Sequence, residues 1–389
     1  MRRIVALAAS LLLAATVSAC TTTEPVSPEA VGAFDTYTDN IRSISGVENV
    51  SVDTSPQRRR AHLEVTVSAQ IDTAELNEIG DRALAFVDEA QRHNFTASTP
   101  QIHLGDSTYS YFEDLAPEQL QQQLAYWHEL CNSGAVRVNF SAYRASGNGA
   151  SEPPIDTQQH HETQPDASSQ PHTRAHAPQA PPPRYIGVKL PSDAVDAQQD
   201  AIRAIERAHD PGAQTGQWGV VGLASQMRVD YVSPEFPGAQ ALAADAQLGQ
   251  IFADAPGLAS IQLRHTTEPV AKTELQVFAF DPAMDALQPE LAQQTFLDSP
   301  ASGTVDDAIR LLEQLPVSNY TLQFVSSPMS NGENFSLVVD VAGCSFASGE
   351  EWHELRERYG QTWLQHAHPS RFRDASATCQ VNDNPLPGH

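Results

Sequence analysis

Three groups of side chains have types and spacings that suggest chemistry. Gly105-Asp106-Ser107 follows an extended segment, and such a turn can lift a serine hydroxyl into position as a nucleophile for acyl transfer. That reaction needs a base and an orienting acid, and no Asp-x-x-His pattern follows to supply them. The three residues therefore read as an ordinary turn. His353, His366 and His368 stand near Glu350, Glu351 and Glu354, and His with carboxylate at helical spacing can share a metal ion. A separation of 13 residues puts His353 and His366 nearly four helical turns apart at about 3.6 residues per turn. They cannot share one ion, and no metal site is assigned. His160, His161, His172 and His176 fall in a stretch rich in Pro, Gln, Ser and Ala. They either collect metal in a long loop or decorate a solvated one; their scattered spacing favours the second.

Other catalytic patterns are missing. The sequence has no phosphate-cradling Gly-x-x-x-x-Gly-Lys loop and no Gly-rich dinucleotide fingerprint. His128-Glu129, His161-Glu162 and His353-Glu354 each lack the second His of a zinc protease helix. There is no Gly-x-Ser-x-Gly elbow, and neither lysine has a Ser three residues before it. No catalytic residue and no cofactor are assigned.

Four cysteines remain: Cys20, Cys131, Cys344 and Cys379. Cys20 ends a leader with Arg2 and Arg3 first, then a short apolar run, then Val17-Ser18-Ala19-Cys20. Basic, apolar and small-residue segments in this order make a secretory signal peptide. The run is shorter than the roughly 20 apolar residues that span a bilayer. The ending resembles the lipobox of bacterial membrane lipoproteins of the actinobacterial type. That resemblance implies cleavage before Cys20, lipid on its thiol and new amino group, and a body held on the extracytoplasmic face of the cell membrane. In such a compartment a disulfide is favoured, and Cys344 and Cys379, in neighbouring expected strands, are its two halves. Cys131 shares an apolar stripe with Trp127 and reads as a small core residue.

Charge narrows the partners. The 389 residues carry 23 Lys+Arg against 48 Asp+Glu, a formal charge of −25. Nucleic acid demands a basic surface, so none is expected as a partner. Lys189 and Lys272 are the only lysines.

The elements that must position these residues recur along the chain. Apolar periodicity predicts a helix over 34–44, alternating strands over 46–52 and 62–67, a helix over 73–92, and one or two extended pieces over 101–112. A helix follows with Leu120, Leu124, Trp127 and Cys131 on one stripe, then strands over 134–140 and 185–190, a helix capped by Ser192 with Val195, Ile202 and Ile205 facing inward, and a strand near 220–231. The next copy has a helix through Leu242, Leu248 and Ile251, strands over 257–263 and 274–280, and a short helix over 282–294. The last has a helix from Thr304, strands over 316–322 and 335–341, and a helix with a Ser348/Glu351 capping box and Trp352, Leu355 and Tyr359 inward. A strand within 371–381 ends it.

The reading is an α+β chain of four tandem helix-strand-strand-helix-strand units, small sheets covered by helices on one face. The segments are a signal peptide (1–19), lipidated Cys20 with a flexible tether (20–33), unit one (34–113), unit two (114–233) with a disordered insert (145–183), unit three (234–300), and unit four with a tail (301–389). Matched apolar offsets after Gly46, Gly257 and Pro316 carry the repetition. The outline is similar to secreted modules of the BON type, which implies an envelope setting. The leading expectation is a lipid-anchored binding or envelope-scaffold protein, not an enzyme. Its partners are the membrane, through the lipid, and an envelope protein or small ligand. The alternatives are an extracytoplasmic hydrolase with an unfamiliar site, or metal scavenging through the His-bearing loop.

Overall fold

The computed structural model describes residues 28–55, 58–112, 115–142, 184–192, 194–208, 216–224, 227–253, 257–267, 271–279, 289–315, 319–326, 336–348, 353–367 and 378–382. Cys20, the leader, the 145–183 insert with its four histidines, Trp352 and His368 lie outside them. Among the described residues no helix is long and apolar enough to cross a membrane. The chain divides into two compact units, Met1–His103 and Leu104–His389.

In the first unit, α1 (Pro28–Arg42) leads to the antiparallel pair β1 (Val47–Ser55) and β2 (Arg60–Val67), then α2 (Thr73–Arg92), β3 (Thr96–Ala97) parallel to β2, and β4 (Gln101–Leu104). Strand β2 alternates: Ala61, Leu63, Val65 and Val67 are buried and the residues between them are not. Helix α2 starts where the Asp72 carboxylate accepts the Glu75 amide at 2.8 Å and the Glu75 carboxylate accepts the Asp72 amide at 3.2 Å, satisfying two otherwise orphaned donors. Its buried face is Leu76, Ile79, Ala83, Phe86 and Ala90. The Phe86 ring meets Phe34 of α1 at 6.0 Å.

The second unit holds β5 (Ser107–Ser110), α3 (Pro117–Cys131), β6 (Arg137–Ala142), β7 (Arg184–Lys189), α4 (Val195–Arg207), β8 (Gln217–Val221), β9 (Met227–Val232), α5 (Ala239–Ile251), β10 (Leu258–Thr266) and β11 (Lys272–Ala279). It continues through α6 (Pro289–Leu297), α7 (Pro300–Leu312), β12 (Asn319–Ser326), β13 (Ser336–Ala342), β14 (Ser345–Ser348), α8 (His353–His366) and β15 (Gln380–Val381). Its strands lie side by side in chain order. Pairs β6/β7, β8/β9, β10/β11 and β12/β13 are antiparallel. Each joins the next pair in parallel, β7 to β8, β9 to β10 and β11 to β12.

This pairing divides the chain differently from the four-unit expectation. What recurs is one helical segment followed by one hairpin, and the hairpins add to one mixed sheet in place of small separate ones. The difference arises largely at 220–231, expected as a single strand, where the chain instead forms β8 and β9. Each parallel join needs a crossover, and right-handed crossovers repeated in one direction put every helix on the same face. Burial agrees: Val138, Phe140, Val188, Trp218, Val229, Leu263, Val277, Leu322 and Val339 are sealed, while the residues alternating with them are mostly part-exposed.

Helix starts depart from expectation. Ala194, not Ser192, precedes α4, with no side-chain cap, and Val195 is 71% exposed rather than inward. Ser348 is the buried last residue of β14, not a helix cap. Helix α7 begins at Pro300, before Thr304. Leu355 and Tyr359 face inward as expected, joined by Trp363. The last strand is only Gln380–Val381, parallel to β14, and Cys344 and Cys379 are paired, Cα atoms 4.4 Å apart.

Candidate functional site

The face of the second unit's sheet that carries no helix among the described residues is built of residues whose register places them in rows. One row runs Asn139, Gly187, Gly219, Asp230, Arg264, Glu274, Thr321 and Asp340. The next runs Arg137, Lys189, Val221, Arg228, Gln262, Gln276 and Gln323. A β-strand shows alternate side chains to opposite faces, so these polar residues share the side away from the core. Gln276 donates to Gln323 at 2.9 Å and Gln323 to Ser336 at 3.2 Å; Thr321 donates to Asp340 at 2.6 Å.

Two glycines make room for an aromatic platform. The Tyr185 ring lies across Gly187 and Gly219, and a Cβ on Gly219 would fall 2.8 Å from its Cζ. Over it, Arg228 sends Nε and an η nitrogen to Asp230 Oδ1, both at 3.1 Å, and the same η nitrogen to the Tyr185 hydroxyl at 3.3 Å. Burial raises the Tyr185 pKa above its ordinary value, against the pull of Arg228. Burial also raises that of Asp230, with Arg228 opposing. Burial works against the charge on Arg228, but Asp230 and Tyr185 outweigh it and its pKa rises. The pair is a fixed, part-buried dipole.

Beside this platform is an open pocket of about 690 Å³. Its polar lining is Lys189, Ser192, Arg228, Ser260 and Gln262; Val221, Leu223, Met227 and Ile261 are among its apolar lining. Gln198 of α4 ties the rim together, donating to the Pro191 carbonyl at 2.9 Å and the Gly222 carbonyl at 2.7 Å. Gly222 has φ +96°, and a Cβ there would lie 2.5 Å from the Leu190 carbonyl oxygen, so only glycine turns the chain this closely. Among the described residues the lining contains neither His nor carboxylate.

A second polar cluster lies on the opposite, helix-covered side. Asp245 of α5 accepts from the Tyr231 hydroxyl and pairs with His265 Nε2 at 2.9 Å; His265 Nδ1 meets Thr273 Oγ1 at 3.0 Å. Hydroxyl, imidazole and carboxylate in this order resemble a nucleophilic triad, but Thr273 is 1% and Asp245 2% exposed, so no substrate reaches them. Burial, then Asp245, raises the Tyr231 pKa far above the usual phenol range, which keeps it a donor. The cluster fastens α5 to β9, β10 and β11.

Residues singled out from sequence disperse. Gly105 and Asp106 make a turn, with Gly105 at φ +55°. Ser107 is buried and its hydroxyl accepts the Val138 amide at 2.9 Å; it is a strand residue, not a displayed nucleophile. Cys131 is half-buried, its thiol pushed up to about 12 by burial, with a hydrogen bond to Ser107 opposing. His353 opens α8 and His366 closes it. Among the described residues no group of three or more His, Cys, Asp or Glu side chains is placed to hold a metal. Sequence reasoning missed the pocket. Its one advance signal was a lysine, rare in this chain, at the end of a strand. No protein-family model, curated protein or solved structure matches the chain.

Proposed function

We propose that this chain is a lipid-anchored binding protein of the outer face of a bacterial cell membrane, with a small-ligand site on its second unit. The pocket beside Lys189 and Arg228 carries this reading: about 690 Å³ is within the range of small-molecule sites, and apolar walls with few polar groups are what such sites use. Among the described residues the lining holds no His or carboxylate, the groups that would serve hydrolysis as base or acid, and this supports the binding reading. The recurring helix-and-hairpin units serve as a scaffold that fixes the rows of side chains on the open face. The Arg2/Arg3 start and Val17-Ser18-Ala19-Cys20 support the anchor.

Expression with an alkyne-tagged palmitate in a lipoprotein-processing bacterium tests the anchor. The chain should take up label and fractionate with membranes, and Cys20→Ala should lose the label. Label retained by Cys20→Ala, or never incorporated, overturns the anchor. A ligand panel on the unlipidated chain tests the pocket, with Ala224→Trp filling it.

A further inference from the structure

We infer that the pocket takes a small organic anion, a carboxylate or phosphate ester, with Lys189 as its charge partner; this rests on the pocket being a ligand site. Of the two lysines, Lys272 pairs with Glu274 at 3.2 Å. Among the described residues Lys189 has no ion pair. Its register partner on β6 is Arg137, also without one, although the chain carries 48 acids. Like charges directly opposite each other on a sheet are destabilising, and an anion seated against them removes that repulsion. Arg228 completes the row two strands further on, roughly 10 Å away at about 4.8 Å per strand. It is held by Asp230 and Tyr185 through Nε and one η nitrogen, which leaves the other η nitrogen for a ligand oxygen. Ser192, Ser260 and Gln262 add neutral donors, and Val221, Leu223 and Met227 an apolar wall.

The whole-molecule charge selects the size of the ligand. A chain of net charge −25 repels extended polyanions and anionic bilayers, whereas a small anion inside the pocket sits within about 8 Å of Lys189, the screening length at physiological salt. The geometry therefore favours a free small molecule over a lipid headgroup.

Isothermal titration with benzoate, phenyl phosphate and their neutral analogue benzamide tests this. At least one anion should bind roughly tenfold or more tighter than benzamide, the scale of a charge-assisted hydrogen bond. Lys189→Met should erase that margin and Lys189→Arg should keep it, since Lys189 is exposed and neither change disturbs the core. Equal binding of benzamide, lost in Ala224→Trp, overturns the anion and leaves the pocket reading standing. No binding by any of the three probes or by phosphatidylglycerol vesicles overturns both. Anion binding unchanged in Lys189→Met, or phosphatidylglycerol vesicles captured through Lys189 while the free anions do not bind, overturns the inference alone.

Discussion

Burial of the Cys131 thiol makes its proton part of the folding equilibrium. In the folded chain the pKa is pushed up from 9.0 to about 12. Below pH 9 both folded and unfolded thiols are protonated, and the preference of the folded state for the neutral form is fully present. Between pH 9 and 12 the unfolded thiol ionises while the folded one keeps its proton, so stability falls as pH rises through that window. Urea midpoints of wild type and Cys131→Ala should therefore run parallel below pH 9. Above it the wild type should fall more steeply, and parallel lines up to pH 11 would mean the thiol is not shielded. The same logic makes the native thiol slow to alkylate at pH 8, because the thiolate is the reactive form. Tyr231 follows the rule in another setting: burial and the neighbouring Asp245 keep its proton in place. A buried carboxylate needs such donors, and Tyr231 and His265 supply them.

At the scale of elements, α8 is held at both ends of its loop. Cys344 precedes β14, Cys379 precedes β15, and the bridge spans a separation of 35 residues. Inside the loop, Trp363 donates to Glu313 at 2.9 Å, Arg358 to Asp306 at 3.1 Å, and Thr362 to Asp306 at 2.5 Å. Chain-entropy arguments give about 4 kcal/mol for closing a loop of this length, as an upper value. The Cys344→Ser/Cys379→Ser chain should unfold at lower urea by an amount approaching that, followed by tryptophan fluorescence. A shift under about 1 kcal/mol would mean the side-chain network alone holds α8. That pairing was legible from sequence, because Cys344 follows one expected strand and Cys379 falls in the next, and so were the hairpins β1/β2, β6/β7, β10/β11 and β12/β13. Hairpin β8/β9 was not: two short strands carrying Trp218, Val220, Val229 and Tyr231 inward merge into one apolar stretch, and the longer repeat followed from that merger. Nor was the pocket, because register, not spacing, brings Lys189, Arg228 and Gln262 onto one row from three different strands.

For the molecule as a whole, net charge and local charge point in opposite directions. The charge of −25 acts over distances of about a screening length and falls off beyond it. The open face of the second unit interrupts it with Arg137, Lys189, Arg228 and Arg264, of which Arg228 is matched by Asp230 at 3.1 Å. Anionic lipid attracts clusters of several cations by about 1 kcal/mol each. Two unpaired cations on one row of a strongly acidic body do not make such a cluster. The chain lacking residues 1–20 should therefore stay in the supernatant when sedimented with phosphatidylglycerol-rich vesicles. Lowering the salt should not recruit it, because weaker screening strengthens repulsion by the whole body along with attraction by the row. Adsorption that grows as salt is removed would mean that the basic row outweighs the acidic surface around it. Lipid on Cys20 would offset that repulsion, since each buried CH₂ contributes about 0.8 kcal/mol whatever the charge of the headgroups.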